Sequence, residues 1–310
     1  MPDNPTLPSM DRSSKKKYGN LALKLAVTIL LIVLVVKKTD ISETKRIFQH
    51  SHPQWLILAA GIYFCSFWVS NIRSRSFLNG IDIRLPFYEG LKLYMRGTVD
   101  NIILPGGVGG DGYKILSLRK SYGVPAKKIF WAFFFERLSG LWAIGALLAG
   151  LGFIIPKHFA DPVLLLLAFV IASLAYAILM KRQFGEYAGN FISNHLLSAG
   201  IQCMVMASVT CILFAQQIPF SLPAYLFSFQ SSTIVSILNI GLSGLGVREF
   251  AMSYASELLS TDPALSVYVA TTFWIISTMA SLPGLLFVFR ERSADVTHPP
   301  HTDMKVGETK

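Results

Sequence analysis

Six long apolar runs constrain the fold of this 310-residue chain more than any other feature. Because a helix rises 1.5 Å per residue, about 20 apolar residues cross the roughly 30 Å of hydrocarbon in a bilayer. The runs that reach or approach this length cover residues 21–36, 54–70, 129–155, 163–180, 195–215 and 264–289. Only 15% of the residues are charged, whereas soluble proteins carry about 25%. The sequence therefore predicts an all-α polytopic membrane protein with six spanning helices.

Two further apolar stretches, residues 87–118 and 222–259, are interrupted by glycine-rich breaks. The first break reads LPGGVGGDG over residues 104–112, and the second reads LNIGLSGLG over residues 238–246. A break leaves backbone N–H and C=O groups without intrahelical partners, which a membrane tolerates only where protein or a water-filled cavity satisfies them. Each stretch is therefore predicted to form a re-entrant helical hairpin that lines an interior site.

The two breaks share a sequence pattern, which indicates an internal repeat. At a constant offset of 138 residues, the matched positions are Asn101 with Asn239, Ile102 with Ile240, Leu104 with Leu242, Gly106 with Gly244, and Asp111 with Glu249. Each half of the chain, about 21–155 and 163–289, then holds three spans and one hairpin. Because three is odd, the halves insert with opposite topology, so the hairpins are opposed. Inverted repeats with broken helices are typical of transporters.

The basic residues predict the orientation. With a cytoplasmic N-terminus, the inside flanks of the spans hold 15 basic residues, including Arg73, and the outside flanks hold five. The positive-inside rule then places both termini in the cytoplasm, as in a multi-pass inner-membrane protein. We expect a basic N-terminus over residues 1–20, one transmembrane domain over 21–290 and a disordered tail over 291–310. Basic residues at the ends of apolar runs suit an anionic membrane surface better than nucleic acid.

Asp111 and Glu249 each follow a glycine-rich break and open the second half of a hairpin. A carboxylate at a helix N-terminus is favoured by the helix dipole and by free N–H groups, so both residues are compatible with a capping role. Ionisable residues at mid-membrane are costly and usually mark a pathway. A functional polar site is therefore the second interpretation.

Glu136 and Arg137 lie inside a predicted span. If this helix enters the membrane near Lys128, Arg137 lies roughly 13 Å deep. A charge at that depth costs about 2.5–3.5 kcal/mol, so we expect both side chains to be paired. Adjacent helical residues point about 100° apart, which predicts different partners among Asp111, Arg248 and Glu249. A structural ion pair and an arginine that binds a lipid phosphate remain the alternatives.

Other polar residues of the hairpins complete the candidate site. Lys114 either draws an anionic headgroup inward or extends to the membrane interface. Asn101 and Asn239 are expected to hydrogen-bond the broken backbone. The cysteines Cys65, Cys203 and Cys211 lie inside apolar runs and are interpreted as small buried hydrophobic residues, not as a disulfide or as metal ligands. Neither a metal nor a cofactor is expected.

Three motifs in order resemble a known family. They are Asn101 with Pro105-Gly106 and Gly109-Gly110-Asp111, then Glu136-Arg137-Leu138, then Gly244 and Gly246 with Arg248-Glu249. They are similar to the lysylphosphatidylglycerol synthetase transmembrane, or flippase-like, family over roughly residues 20–290. The resemblance implies a lipid-translocating membrane domain. Bifunctional members carry a following aminoacyl-transferase domain, which this sequence lacks, so a stand-alone member is expected.

The main functional hypothesis is translocation of a polar-headed lipid, either an anionic phospholipid or a polyprenyl phosphate, without chemical modification. Asp111, Arg137, Arg248 and Glu249 are expected to converge near the membrane midplane. The further substrate-binding candidates are Glu136, Asn101, Asn239 and Lys114. One alternative is a membrane-embedded enzyme that modifies lipids or lipid-linked sugars, although no D-x-D metal pair or nucleophile motif supports it. Another is a non-catalytic accessory membrane subunit.

Overall fold

The computed structural model describes residues 41–103, 109–155, 161–217, 221–237 and 246–287, together with Val33. Within these residues the chain forms ten α-helices and one short 3-10 helix, Gly185–Tyr187, and no β-strand, which confirms the predicted all-α class. The helices are α1 (Ile41–Gln49), α2 (Pro53–Asn79), α3 (Phe87–Ile103), α4 (Gly109–Tyr122), α5 (Ala126–Leu151), α6 (Pro162–Gln183), α7 (Phe191–Phe214), α8 (Leu222–Ile237), α9 (Val247–Leu259) and α10 (Pro263–Ser281).

Five segments in the described part of the chain are long and apolar enough to cross a membrane. They are α2, α5, α6, α7 and Pro263–Phe287, which contains α10. They correspond to five of the six predicted apolar runs. The sixth predicted span, residues 21–36, lies outside the described residues. The chain is therefore a multi-pass membrane protein.

Local sequence explains where two of the spans begin. Proline occupies the first position of α6 and of α10, where its fixed φ suits the helix and its missing N–H costs nothing. The side chain of Asp161 accepts hydrogen bonds from two N–H groups of the first turn of α6 at 2.8 and 3.2 Å. Asp262 accepts one from the N–H of Ala264 at 2.8 Å. These caps satisfy N–H groups that a helix leaves unpaired at its start.

The second helix is longer than its apolar run. The sequence predicted a span that ends at Ser70, but α2 continues to Asn79. Ser66, Ser70 and Ser74 repeat every fourth residue and are buried, so this polar face lies against protein and not against lipid. The helix packs along α7, where the Ser208 hydroxyl donates to the carbonyl of Ala59 at 2.9 Å. Arg73, predicted to lie on the cytoplasmic flank, is thereby carried into the helix bundle.

Two helix pairs occupy the interrupted stretches. Helix α3 packs against α4, and α8 packs against α9. The helices of the first pair cross at Gly97 and Gly110. A Cβ added at Gly110 would overlap the carbonyl group of Gly97, so only glycine fits at position 110. In the second pair, Gly246 precedes α9 with φ of +83°, a conformation that favours glycine. Residues 104–108 and 238–245, which hold most of the glycine-rich breaks, lie outside the described residues.

Candidate functional site

A cavity of about 770 Å³ lies among the helices of the bundle. Its lining comes from α2, α3, α5, α7, α8, α9 and α10, and therefore from both halves of the chain. The charged residues in its lining are Arg73, Arg137, Arg248 and Glu249. Three guanidinium groups from three different helices thus share one space between apolar spans.

Arg137 forms an ion pair with Asp111, which joins α5 to the first turn of α4. The Asp111 side chain is 14% exposed and that of Arg137 is 51% exposed, so the pair lies at the edge of the cavity. The second cation near Asp111 is Lys114, whose Nζ atom lies 3.7 Å from the carboxylate. Lys114 is buried, with its ammonium 5.1 Å from the ring centres of both Tyr94 and Phe133. Lys114 therefore lies inside the protein, and its depth in the membrane stays a prediction.

Glu136 pairs with a different residue from the one that Arg137 contacts. Its Oε1 atom lies 3.3 Å from Nη2 of Arg73, and both side chains are buried. The other terminal nitrogen of Arg73 donates to the Ser198 hydroxyl at 3.0 Å, which ties α2 to α7. The prediction of different partners for Glu136 and Arg137 is confirmed. The predicted partners for Glu136 did not include Arg73, because Arg73 was expected outside the span.

Arg248 and Glu249 stand at the start of α9. The Arg248 guanidinium lies over the rings of Phe229 and Phe273, at 4.8 and 5.0 Å, and its buried Nε atom has no hydrogen-bond partner in the described part of the chain. Oε2 of Glu249 accepts a hydrogen bond from the N–H of Gly246 at 2.7 Å, which confirms the capping interpretation. Its Oε1 atom is buried without a hydrogen-bond partner among the described residues. Glu249 therefore caps the helix and still has an oxygen with unused acceptor capacity.

Asn101 connects the two helices of the first pair. Its side-chain oxygen accepts a hydrogen bond from the N–H of Gly110 at 3.0 Å, so it satisfies the backbone beside the break as predicted. Its predicted counterpart, Asn239, lies outside the described residues. Asn101 also lines the cavity.

The structure thus brings most of the predicted site residues together. Arg137, Arg248 and Glu249 line one cavity, and Asp111 reaches it through its contact with Arg137. Arg73 is the residue that sequence reasoning missed. The signal for it was the four-residue spacing of serines on α2, which continues past the apolar run and keeps one helix face polar up to Arg73. A role of these residues in binding a substrate stays a prediction.

In the described part of the chain, four of the five apolar spans line a cavity that also holds three arginines. These features define the class of this molecule as a multi-pass α-helical membrane protein with charged side chains in its interior. A family model, the lysylphosphatidylglycerol synthase TM region, matches residues 21–188. Since this match covers more than half of the chain, the protein belongs to that family, which confirms the family resemblance; the third motif lies outside the matched residues. No curated protein matches the chain.

The family match concerns the membrane part of the family and not its transferase domain. It connects the chain with membrane lipids. The matched residues include Asn101, Asp111, Glu136 and Arg137, and they end before α9. The family match therefore does not cover Arg248, which the cavity geometry links to the other residues of the site.

Proposed function

We propose that this protein moves a polar-headed, phosphate-bearing lipid between the leaflets of the inner membrane without modifying it. The observation that carries the proposal is the single cavity lined by Arg73, Arg137 and Arg248 among apolar spans. A planar guanidinium binds phosphate oxygens bidentately, and such charge-assisted bonds strengthen where water is excluded. A lipid phosphate is the anion most available to a cavity inside a bilayer.

The three arginines are suited to different tasks in this mechanism. Arg137 is half exposed and pairs with Asp111, so a phosphate can exchange with that carboxylate at the edge of the cavity. The guanidinium of Arg248 contacts the rings of Phe229 and Phe273, which pack edge to face against each other, and these contacts orient a buried guanidinium. Arg73 is bound to Glu136 and Ser198, so it supports the wall. Arg137 and Arg73 are paired with Asp111 and Glu136, so two of the three arginine charges are compensated without a ligand.

The proposal includes an architecture that opens to each leaflet in turn. The pairs α3–α4 and α8–α9 would be opposed re-entrant hairpins, and residues 21–36 would be the sixth span. The halves 21–155 and 163–289 would form an inverted repeat with both termini cytoplasmic. In support, the first half contributes Asn101 and Arg137 to the cavity, and the second contributes Arg248 and Glu249. A site between inverted halves is a common arrangement in transporters that rock between two states.

No covalent step is part of the proposed function, and it requires no cofactor. The partners are membrane lipids, either anionic phospholipids or polyprenyl phosphates. Uphill movement would draw on an ion gradient or on a lipid imbalance between the leaflets.

A leaflet assay in reconstituted liposomes tests the proposal with a panel of labelled phospholipids and a polyprenyl phosphate. We expect at least one lipid to move faster than in protein-free vesicles. Arg137→Ala should slow it tenfold or more, since a hydrogen bond to a charged group is worth about 1.5–3 kcal/mol. Asp111→Asn should also change the rate, whereas Arg182→Ala, at the exposed end of α6, should not. The proposal fails if no lipid moves, or if both site variants keep full activity.

A further inference from the structure

The charged side chains that line the cavity are not all paired. Arg73 and Arg137 each form an ion pair with a carboxylate. Arg248 and Glu249 also line the cavity, but within the described residues they do not form an ion pair with each other. Adjacent helical residues point about 100° apart, and the Arg248 guanidinium lies over two aromatic rings. The charges of Arg248 and Glu249 therefore cancel in sum without direct contact.

The two carboxylate oxygens of Glu249 have different surroundings. Oε2 accepts a hydrogen bond from the N–H of Gly246 at 2.7 Å and thereby caps α9. The residue is only 5% exposed, and its Oε1 atom has no hydrogen-bond partner in the described part of the chain. A proton can therefore bind at Oε1 without breaking the cap. A divalent cation would need several more oxygen ligands, and the described residues hold no cluster of three metal-ligating side chains.

The other titratable groups around Glu249 leave it as the place where the charge of the cavity can change. Helix α9 packs against α8 and α10. Besides arginines, the titratable residues of these three helices and of the cavity lining are tyrosines and one exposed glutamate: Tyr63, Tyr94, Tyr225, Tyr254, Tyr268 and Glu257. Tyrosine is ordinarily neutral and arginine charged near neutral pH. Glu257 is about 12 Å from Glu249 along the helix axis, and Asp262 lies beyond the end of α9.

We propose that Glu249 binds a proton together with the lipid phosphate, and that the protein moves both in the same direction. The proposal rests on the proposed function and adds the coupling ion to it. With Glu249 ionised, the charges of Arg248 and Glu249 sum to zero. With Glu249 protonated, the cavity gains one positive charge, which the phosphate compensates. Each ligand therefore strengthens the binding of the other to the same extent, as linkage requires. The proton binds to Oε1 and later leaves it, and no bond of the lipid changes.

An imposed pH gradient in the liposome leaflet assay tests the coupling. The probes are labelled phosphatidylglycerol, phosphatidylethanolamine and a polyprenyl phosphate, and potassium with valinomycin holds the membrane potential at zero. We expect a transported probe to leave the leaflet on the acidic side at least about fivefold faster than without a gradient, which is the low end of typical coupling between two sites. Glu249→Gln keeps an oxygen for the N–H of Gly246 but cannot exchange a proton, so its rate should not respond. Glu257→Gln, exposed on the same helix, should respond like the native protein. Titration of a probe itself would affect all three proteins alike.

A second measurement needs no variant and decides the question if Glu249→Gln does not fold. In vesicles at equal pH on both sides, movement of a probe down its own imbalance should carry protons in the same direction, read from a trapped pH indicator. Lipid movement without proton movement, or an equal response to the pH gradient in Glu249→Gln, would overturn the inference and leave the proposed function intact. A response to a sodium gradient in place of the pH gradient would overturn it as well. If no probe moves under any condition, the proposed function fails and the inference fails with it.

Discussion

Replacing Arg73 by Met leaves the carboxylate of Glu136 without its cation inside a helix that spans the membrane. In the native protein, Nη2 of Arg73 lies 3.3 Å from Oε1 of Glu136, and the two side chains are only 11% and 8% exposed. The same guanidinium donates to Ser198 at 3.0 Å, so the substitution also removes a link between α2 and α7. Solvent has little access to compensate either loss.

Two independent scales give the size of the effect. Removal of one partner from a buried ion pair costs about 3–5 kcal/mol, and a lone charge at the centre of a spanning helix costs about 2.5–3.5 kcal/mol. We therefore expect Arg73→Met to lower the free energy of unfolding by about 3 kcal/mol. The double variant Arg73→Met/Glu136→Leu removes both charges and keeps the side-chain volume. Its stability should lie within about 1 kcal/mol of the native value, because apolar replacement of a buried pair is often neutral.

Reversible unfolding by sodium dodecyl sulfate in mixed micelles, followed by circular dichroism, measures these free energies. Arg182→Met, at the exposed end of α6, serves as the control and should change stability by less than about 0.5 kcal/mol. The reasoning is refuted if Arg73→Met costs less than about 1 kcal/mol, or if the double variant is as unstable as the single one.

Three further predictions follow from the fold. Asn101→Ala should lower the free energy of unfolding by about 1–3 kcal/mol in the same assay, because it removes the acceptor 3.0 Å from the N–H of Gly110. Gly110→Ala should reduce the folded monomer peak in size-exclusion chromatography, since its Cβ would overlap a carbonyl of α3. Gly112→Ala is the control: its Cβ would contact no other residue, so this variant should elute like the native protein. Single cysteines at Gln217 and Lys181 should react with impermeant reagents from outside and from inside respectively; the reverse pattern would exclude the proposed topology.

Hydropathy located the spans because a bilayer imposes a minimum apolar length on any helix that crosses it. The run 163–180 falls within α6, which has the smallest buried share among the described spans, so its extent follows from apolar composition and from the Asp161 cap at its start. The predicted end of α2 at Ser70 was wrong, because hydropathy does not decide where a helix ends when it packs against protein. Its last turns are polar but packed against protein, and a window of apolar residues cannot detect a partner on another helix.

Part of the site was predictable from local sequence. Arg137 required a counter-charge, so Asp111 was among its expected partners, but the cost of a lone charge did not decide between Asp111 and Glu249. The partner of Glu136 was not among the expected residues, because Arg73 lies 63 residues earlier and only tertiary packing brings it close. The prediction that all three cysteines are buried was wrong for Cys203, which is exposed on α7, because an apolar run does not show which face of its helix packs against protein.

The central claim is that the arginine-lined cavity is the path of the lipid, and a blocking measurement tests it most directly. In a chain whose three cysteines are replaced, Leu141→Cys is labelled in detergent with a bulky maleimide and then reconstituted. Leu141 lines the cavity, whereas Leu167, on the lipid-exposed face of α6, gives the matched Leu167→Cys control. The account predicts that labelling at position 141 reduces lipid movement to the rate of protein-free vesicles and that labelling at position 167 leaves it unchanged. Full activity after labelling at position 141 would contradict the account.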